Sequence, residues 1–440
     1  MCSLSVIGNV SVYAQSEKSI TWLVPQDPLI DKYADVVVKA YEKLHPNVKI
    51  DVISPSSTAA YPQKLLTLVA SGQTPDIFTD WGGTGVYTIA THGLAANLIP
   101  YFKEEKVSPN YIPLSYRKEF EYQGQLIGVP WNSNPTFLVY NKDLFKKYHV
   151  PLPPVSWNDK SWTLASLLRD AKMLTHDTSN PKSGTWGVIM QAGSVGSLAW
   201  LWGGDPFNDR GGPQYTAAYH GAPLTHTFAN SPKMVAAMTW ASNVINKWHV
   251  SPSPGIVTAL STLGNPFFTG RVGIVEVQGG WLNRQAAVAK PKFPWAIAPL
   301  PYGPGGVDYN QREDNAYYLA KTSKHPKTAF NFMLFATTGW GAKQLINIAK
   351  DNPPSINRAD FNLWSSQVMK IPGLSMNRQQ FEAVFQGGLV RDYPDPTNLV
   401  NNSANLGNAF TQITSPLFLG KSTAKEVLDS LQNAWKQYLQ

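Results

Sequence analysis

The side chains that could do chemistry in this chain are scarce in some classes and abundant in another. Its 440 residues hold one cysteine, Cys2, eight histidines and 29 aspartates and glutamates, beside 15 tryptophans and 19 tyrosines. One thiol builds no disulfide framework, and with scattered histidines it leaves no thiolate zinc site, so neither a metal nor another cofactor is expected. Catalytic spacings are missing too: there is no His-Glu-x-x-His and no Gly-x-Ser-x-Gly, and Gly420-Lys421-Ser422 has Ser415 where a phosphate-binding loop needs its first glycine. A glycosidase needs two carboxylates about 5 to 9.5 Å apart. No acid pair announces itself; Asp205, Glu276 and Glu313-Asp314 stand out only by their neighbours, and no enzyme is expected. What remains is aromatic. Flat side chains that fill cores also wall sites for uncharged polar ligands such as sugars, the ring meeting a C–H face while a carboxylate or amide meets the hydroxyls.

Such side chains need a frame to aim them. Ile20 to Val24 has the character of a strand, Asp27 and Pro28 can cap and open a helix, and Ile30, Tyr33, Val37, Tyr41 and Leu44 fall at helical spacing before a second strand, Val48 to Ile53. The unit repeats through a helix from Tyr61 to Ala70 and a strand at Asp76 to Thr79, followed by the glycine-rich turn Gly82-Gly83-Thr84-Gly85. Alternation of this kind predicts an α/β fold. Ligands of open α/β sheets bind at the carboxyl ends of the strands, which puts Gln26, Tyr61, Asp80 and Trp81 forward. Further helices are predicted at Trp162 to Leu174, Ser231 to His249, Lys324 to Ala336 and Thr423 to Leu439, the last opened by Thr423 with Glu426 as a capping box.

Length and charge narrow the class. At roughly 100 to 200 residues per domain the chain makes two lobes or one large domain. The net charge is +8, but lysines and arginines are spread thinly, Lys146-Lys147 and Arg117-Lys118 being the densest pairs, so nucleic acid is not a partner. Charged residues make up 15% of the chain, against about 25% in an average protein. Few titrating carboxylates would limit destabilisation in an acidic medium. No apolar run nears the roughly 18 residues of a membrane span. The uncharged start, Met1 to Ser16, ends in Val12-Tyr13-Ala14 like an export signal without its basic region; alternatively Cys2 is a lipobox cysteine, or the stretch is a disordered leftover of cloning.

Several segments in series resemble the extracellular solute-binding proteins of carbohydrate ABC importers, the family that includes the maltose-binding proteins. They are Ser71-Gly72-Gln73-Thr74-Pro75-Asp76-Ile77, Gly93 to Leu98, Gly124 to Pro130 leading to Phe137 to Phe145, Phe267 to Ile274, Gly279-Gly280-Trp281, Ala298 to Pro301 and Asn315 to Tyr318. The resemblance implies a two-lobe periplasmic-binding-protein-like fold with three crossovers, near Ser133 to Thr136, Pro299 to Tyr302 and Asn347 to Ile356, and a cleft between the lobes. Residues 1–18 would be a signal or lipoprotein remnant or a tail, residues 19–133 and 301–348 lobe one, and residues 134–300 and 349–440 lobe two. It also implies an exported monomer, at the cell surface as a lipoprotein or in the periplasm or medium, that closes on a mono- or oligosaccharide and delivers it to membrane permease subunits.

By the same resemblance Trp281, after Gln278, Gly279 and Gly280, stacks on the sugar, and Trp81 does so beside Asp80. Trp131, Asn132 and Asn134 bind hydroxyls at the first crossover or serve the hinge. Trp202, Gly204 and Asp205 line the cleft from lobe two, and Tyr393 reaches it from the far side. Where maltose-binding proteins carry a late stacking tryptophan this chain has Gly407, which sets maltodextrin apart. The alternatives are an anionic, glycerol-phosphate-type ligand, which would need a cation such as Arg391 or Arg284, a secreted glycoside-acting enzyme, or an adhesin with a basic face.

Overall fold

A computed structural model describes residues 18–57, 60–81, 84–180, 183–190, 194–208, 224–261, 265–351, 358–395, 400 and 402–439, with the main chain alone at residues 194–196, 278, 281 and 358. Cys2 and the rest of the uncharged start, the pair Gly82-Gly83 and the crossover residues 352–356 lie outside the described residues. The strands are β1 (Lys18–Leu23), β2 (Val48–Ile53), β3 (Ile77–Thr79), β4 (Glu121–Tyr122), β5 (Gln125–Leu126), β6 (Gly128–Asn141), β7 (Trp186–Ile189), β8 (Val272–Gln278), β9 (Trp295–Ala298), β10 (Asn310–Leu319) and β11 (Asp392–Pro394). Apart from the hairpin β4–β5 they form one mixed sheet in the order β2-β1-β3-β10-β6-β8-β7, with β11 on β10 and β9 on β6.

The first unit forms as its residues require. Asp27 accepts from Leu29 N at 2.8 Å and Ile30 N at 3.2 Å, Pro28 fills the first turn, and the helix Pro28–Leu44 buries Ile30, Tyr33, Ala34, Val37, Val38 and Tyr41 before β2 pairs parallel to β1. Thr163, Ser231 and Thr423 likewise cap the helices Leu164–Leu174, Pro232–Asn246 and Ala424–Lys436, and the capping box of Thr423 with Glu426 is made in both directions.

One strand joins the two halves. Gly128 to Pro135 of β6 pair with β10, and from Thr136 onward β6 pairs with β8 and β9. Lobe one packs on one side of that change, around Trp22, whose ring meets Tyr33, Tyr317 and Phe332 edge-on. In lobe two the period-2 rule of strands divides the core. Leu138, Tyr140, Ile274, Ala296 and Ala298 face one buried cluster, and Phe137, Val139, Val275, Val277 and Ile297 face another. Close to the change of partners, Arg312 of β10 is ion-paired with Glu119, Asp314 and Asp392, tying the helix Leu114–Glu119 and β11 to β10 through almost wholly buried side chains.

Candidate functional site between the lobes

The candidate site is built from the carboxyl ends of strands and from a distortion in β6. Asn132 pairs with Asn315 but Pro130 pairs with Ala316, so Trp131 is the extra residue of a β-bulge. The bulge frees two backbone donors, and side chains take both: Asn132 Oδ1 accepts from Asn315 N at 3.0 Å, and Asp80 Oδ1 accepts from Ala316 N at 3.0 Å. Tyr318 donates its hydroxyl to the other oxygen of Asp80 at 3.0 Å. Held in this way, the Trp131 indole lies between two rings. It stacks on Tyr317 at 5.3 Å and 13°, and on Trp81 at 6.2 Å and 20°, while its Nε1 donates to Thr79 Oγ1 at 3.3 Å.

Lobe two answers with the helix Gly279–Ala289. Gly280 N donates to Asn134 Oδ1 at 2.8 Å, and a Cβ on Gly280 would stand 2.0 Å from that oxygen and 2.2 Å from Asp351 Oδ1, so only glycine allows this approach. One turn later Arg284 crosses to lobe one. Its Nε is 3.3 Å from Asp27 Oδ2, its Nη1 donates to Asp351 Oδ2, and its guanidinium lies over Trp81, 5.5 Å from the ring centroid. Asn132 Nδ2 donates to the same Asp351 oxygen at 3.3 Å. Two polar atoms of this group are buried without a hydrogen-bond partner, Arg284 Nη2 and the Tyr317 hydroxyl. The Tyr317 phenol feels the charges of both Asp351 and Arg284, although burial is what chiefly holds its ionisation far above the ordinary range.

The residues singled out from the sequence fall into distinct places. Trp81, Trp131, Asn132, Asn134 and Gly280 come together, with Gln26 half-buried next to Asp27 and Gly279 packed against Phe137 and Phe385. Tyr61 and Asp80 serve the interior of lobe one instead. The Tyr61 hydroxyl accepts from Thr79 N at 2.8 Å and donates to Leu23 O at 3.3 Å, and Asp80, 1% exposed, holds the bulge. Both follow strand ends, as expected, but their polar atoms turn toward open backbone donors rather than outward.

A second group gathers around the 3-10 helix Ser194–Trp202. Asp205 accepts from Trp200 Nε1 at 3.0 Å and Phe207 N at 2.7 Å, and Trp200 meets Tyr393 edge-on at 6.3 Å. Trp202 lies 6.1 Å from Trp240, and Gly204 lets Lys233 pass where a Cβ would be 2.8 Å from the lysine Cβ. The side chains of Gln278 and Trp281 lie outside the described residues. Sequence reasoning missed Asp27 as more than a cap, and had Tyr317 only within the Asn315 to Tyr318 segment and Asp351 only within the Asn347 to Ile356 crossover, neither as a site residue. It weighed Arg284 only as an anion-binding cation, whereas its guanidinium is already paired with two carboxylates. Arg391 is paired as well, with Asp308 at 2.6 Å.

The family described as bacterial extracellular solute-binding protein matches residues 27–338. A Deinococcus radiodurans protein named "Probable ABC transporter-binding protein" is 27% identical over 246 residues, 52% of this chain and 51% of its own, so the chain spans about half of that relative's length. Among solved structures, an ABC substrate-binding protein from Listeria monocytogenes in complex with cycloalternan superposes with a TM-score of 0.79 at 22% identity, over 96% of this chain and 99% of its own. A solute-binding protein from Thermotoga lettingae bound with α-D-tagatose gives 0.74 at 18% identity, over 96% and 100%.

Proposed function

The chain belongs to the bacterial extracellular solute-binding proteins, and from that premise we propose that it captures a neutral mono- or oligosaccharide between its lobes and delivers it to the membrane permease of an ABC importer. The family is one of exported transport proteins rather than enzymes, and binding without turnover is the role proposed for this chain. The observation that carries the reading is the stack of Trp81, Trp131 and Tyr317 bordered by Asp27, Asn132, Asn134, Arg284 and Asp351. Beside this aromatic stack, carboxylates, amides and the unpartnered Arg284 Nη2 offer both donors and acceptors to the hydroxyls of a sugar. The solute-bound relatives support the same ligand class. Contacts from both lobes make hinge closure a report of occupancy that a permease can read. The pairing of Arg284 and Arg391 with carboxylates favours a neutral solute over a phosphate.

A thermal-shift screen against neutral sugars, among them mannobiose, maltose, tagatose and cycloalternan, tests this, with glycerol phosphates in the same plate and product analysis of each hit. A sugar at 100 times its dissociation constant adds about 2.7 kcal/mol of stability. The expected result is stabilisation by a neutral sugar that stays intact, and at least a tenfold loss of its affinity, about 1.4 kcal/mol, in Trp81→Ala by calorimetry. Stabilisation by glycerol phosphates alone, or cleavage of a bound sugar, refutes the reading.

A further inference from the structure

Arg284 belongs by its helix to lobe two and by its contacts to the other side of the cleft. Asp27 caps the helix Pro28–Leu44 of lobe one, Trp81 follows β3, and Asp351 follows the helix Gly339–Ala349. The Arg284 side chain is 1% exposed, that of Asp351 0% and that of Asp27 18%, so parting the lobes breaks the contacts with Asp27 and Trp81 together and returns the charges to water. Every member of this bridge is a group of the protein itself, so it forms without any atom of a solute. We propose that Asp27 and Arg284 are positioning residues that latch the lobes, with Asp351 aiming the guanidinium, so that ion pairing carries part of the free energy of closure. The inference rests on reading this cleft as the solute site.

Two features make the latch separable from folding. Asp27 uses Oδ1 for the helix cap and Oδ2 for Arg284, so Asp27→Asn keeps a good cap while removing the charge. Arg284→Met removes the whole bridge and takes the guanidinium away from Asp351, which keeps the bond from Asn132 Nδ2, so closure loses more than in Asp27→Asn. Screening by salt acts on the separated charges of the open form and shifts the balance the same way.

The test is small-angle X-ray scattering of the sugar-free full chain, wild type, Asp27→Asn and Arg284→Met, in 20 mM and 1 M sodium chloride. A compact chain of this length has a radius of gyration of about 22 Å. The expected result is that the wild type expands with salt, and that both variants are larger by roughly 1 Å at low salt and respond less to added salt, as hinge opening requires. Equal radii in all three proteins at both salt concentrations overturn the latch. If Arg284→Met does not fold, Asp27→Asn decides alone, its melting temperature showing that the cap is intact. The measurement contains no sugar, so a failed sugar screen would leave its outcome standing, and the reverse holds.

Discussion

Raising the pH from 5 to 9 is expected to lower the unfolding free energy of this protein by ~4 kcal/mol or more, opposite in sign to ordinary acid denaturation. Buried carboxyls set that sign. Burial pushes Asp80 up to about 7, Asp392 up to about 7 and Glu276 up to about 8, and holds Glu119 well above the usual carboxylate range. Hydrogen bonds from Ala316 and Tyr318 draw Asp80 only part of the way back, and Arg312 does the same for Asp392, because one guanidinium faces three carboxylates. A carboxyl raised on folding holds its proton in the native state while the unfolded chain has released it. Its stabilisation is complete below about pH 4 and is lost progressively as the pH climbs from there through about 7 to 8.

Moving one such group from its ordinary 3.8 to about 7 corresponds to ~4 kcal/mol in all, of which ~3 kcal/mol falls above pH 5, and Asp392 and Glu276 add to it in the same direction. Denaturant titrations at pH 5, 7 and 9 check this, and a stability that stays level or rises across that window would refute it. Glu276→Gln isolates one contribution. Burial alone raises Glu276, and its Oε2 has no hydrogen-bond partner. The glutamine variant should match the wild type at pH 5 and exceed it at pH 9.

Trp131→Ala is expected to cost ~3–5 kcal/mol of stability, the usual loss for emptying a buried aromatic site. The side chain is 2% exposed, is enclosed by Trp81 and Tyr317, and is the bulged residue of the strand that joins the lobes. Its removal leaves a cavity and takes away the ring on which Trp81 rests. Sugar affinity should therefore fall even though the substitution lies behind Trp81. Trp131→Phe keeps a ring in the stack, loses the bond to Thr79 Oγ1, and should cost only about 1–2 kcal/mol with most of the affinity retained. The denaturation midpoint at constant slope reads both variants. A cost for Trp131→Ala below ~1 kcal/mol would mean that the bulge, with Asp80 and Asn132 across it, holds itself without the indole.

Much of the scaffold could be read from the residue order because local chemistry decides it. Asp27-Pro28, Ser231-Pro232 and Thr423 with Glu426 start helices where each pattern predicts, and β1, β2 and β3 follow apolar runs at the expected positions. The 14-residue β6 was harder, since Pro130 and Pro135 lie inside it and two different sets of partner strands complete it. Prolines in a strand speak against that reading locally, and only neighbours distant in sequence overrule it. The candidate site divides in the same way. Trp81 and Trp131 announce themselves by size, but nothing local tells an acid that reaches the other lobe from one that holds a bulge. Asp80 and Asp27 are both plausible in sequence; in the fold Asp80 turns to Ala316 N while Asp27 reaches Arg284.

By itself, then, the sequence determined the elements and their alternation, and brought Trp81 and Trp131 forward by residue type. These follow from periodicity, capping and side-chain type within a few turns of chain. Only the tertiary structure decided which charges meet: Asp27, Arg284 and Asp351 are 257 and 67 residues apart along the chain at their two contacts. Ion pairing and burial depend on distance and solvent, and neither is written in the spacing of residues until the lobes have packed.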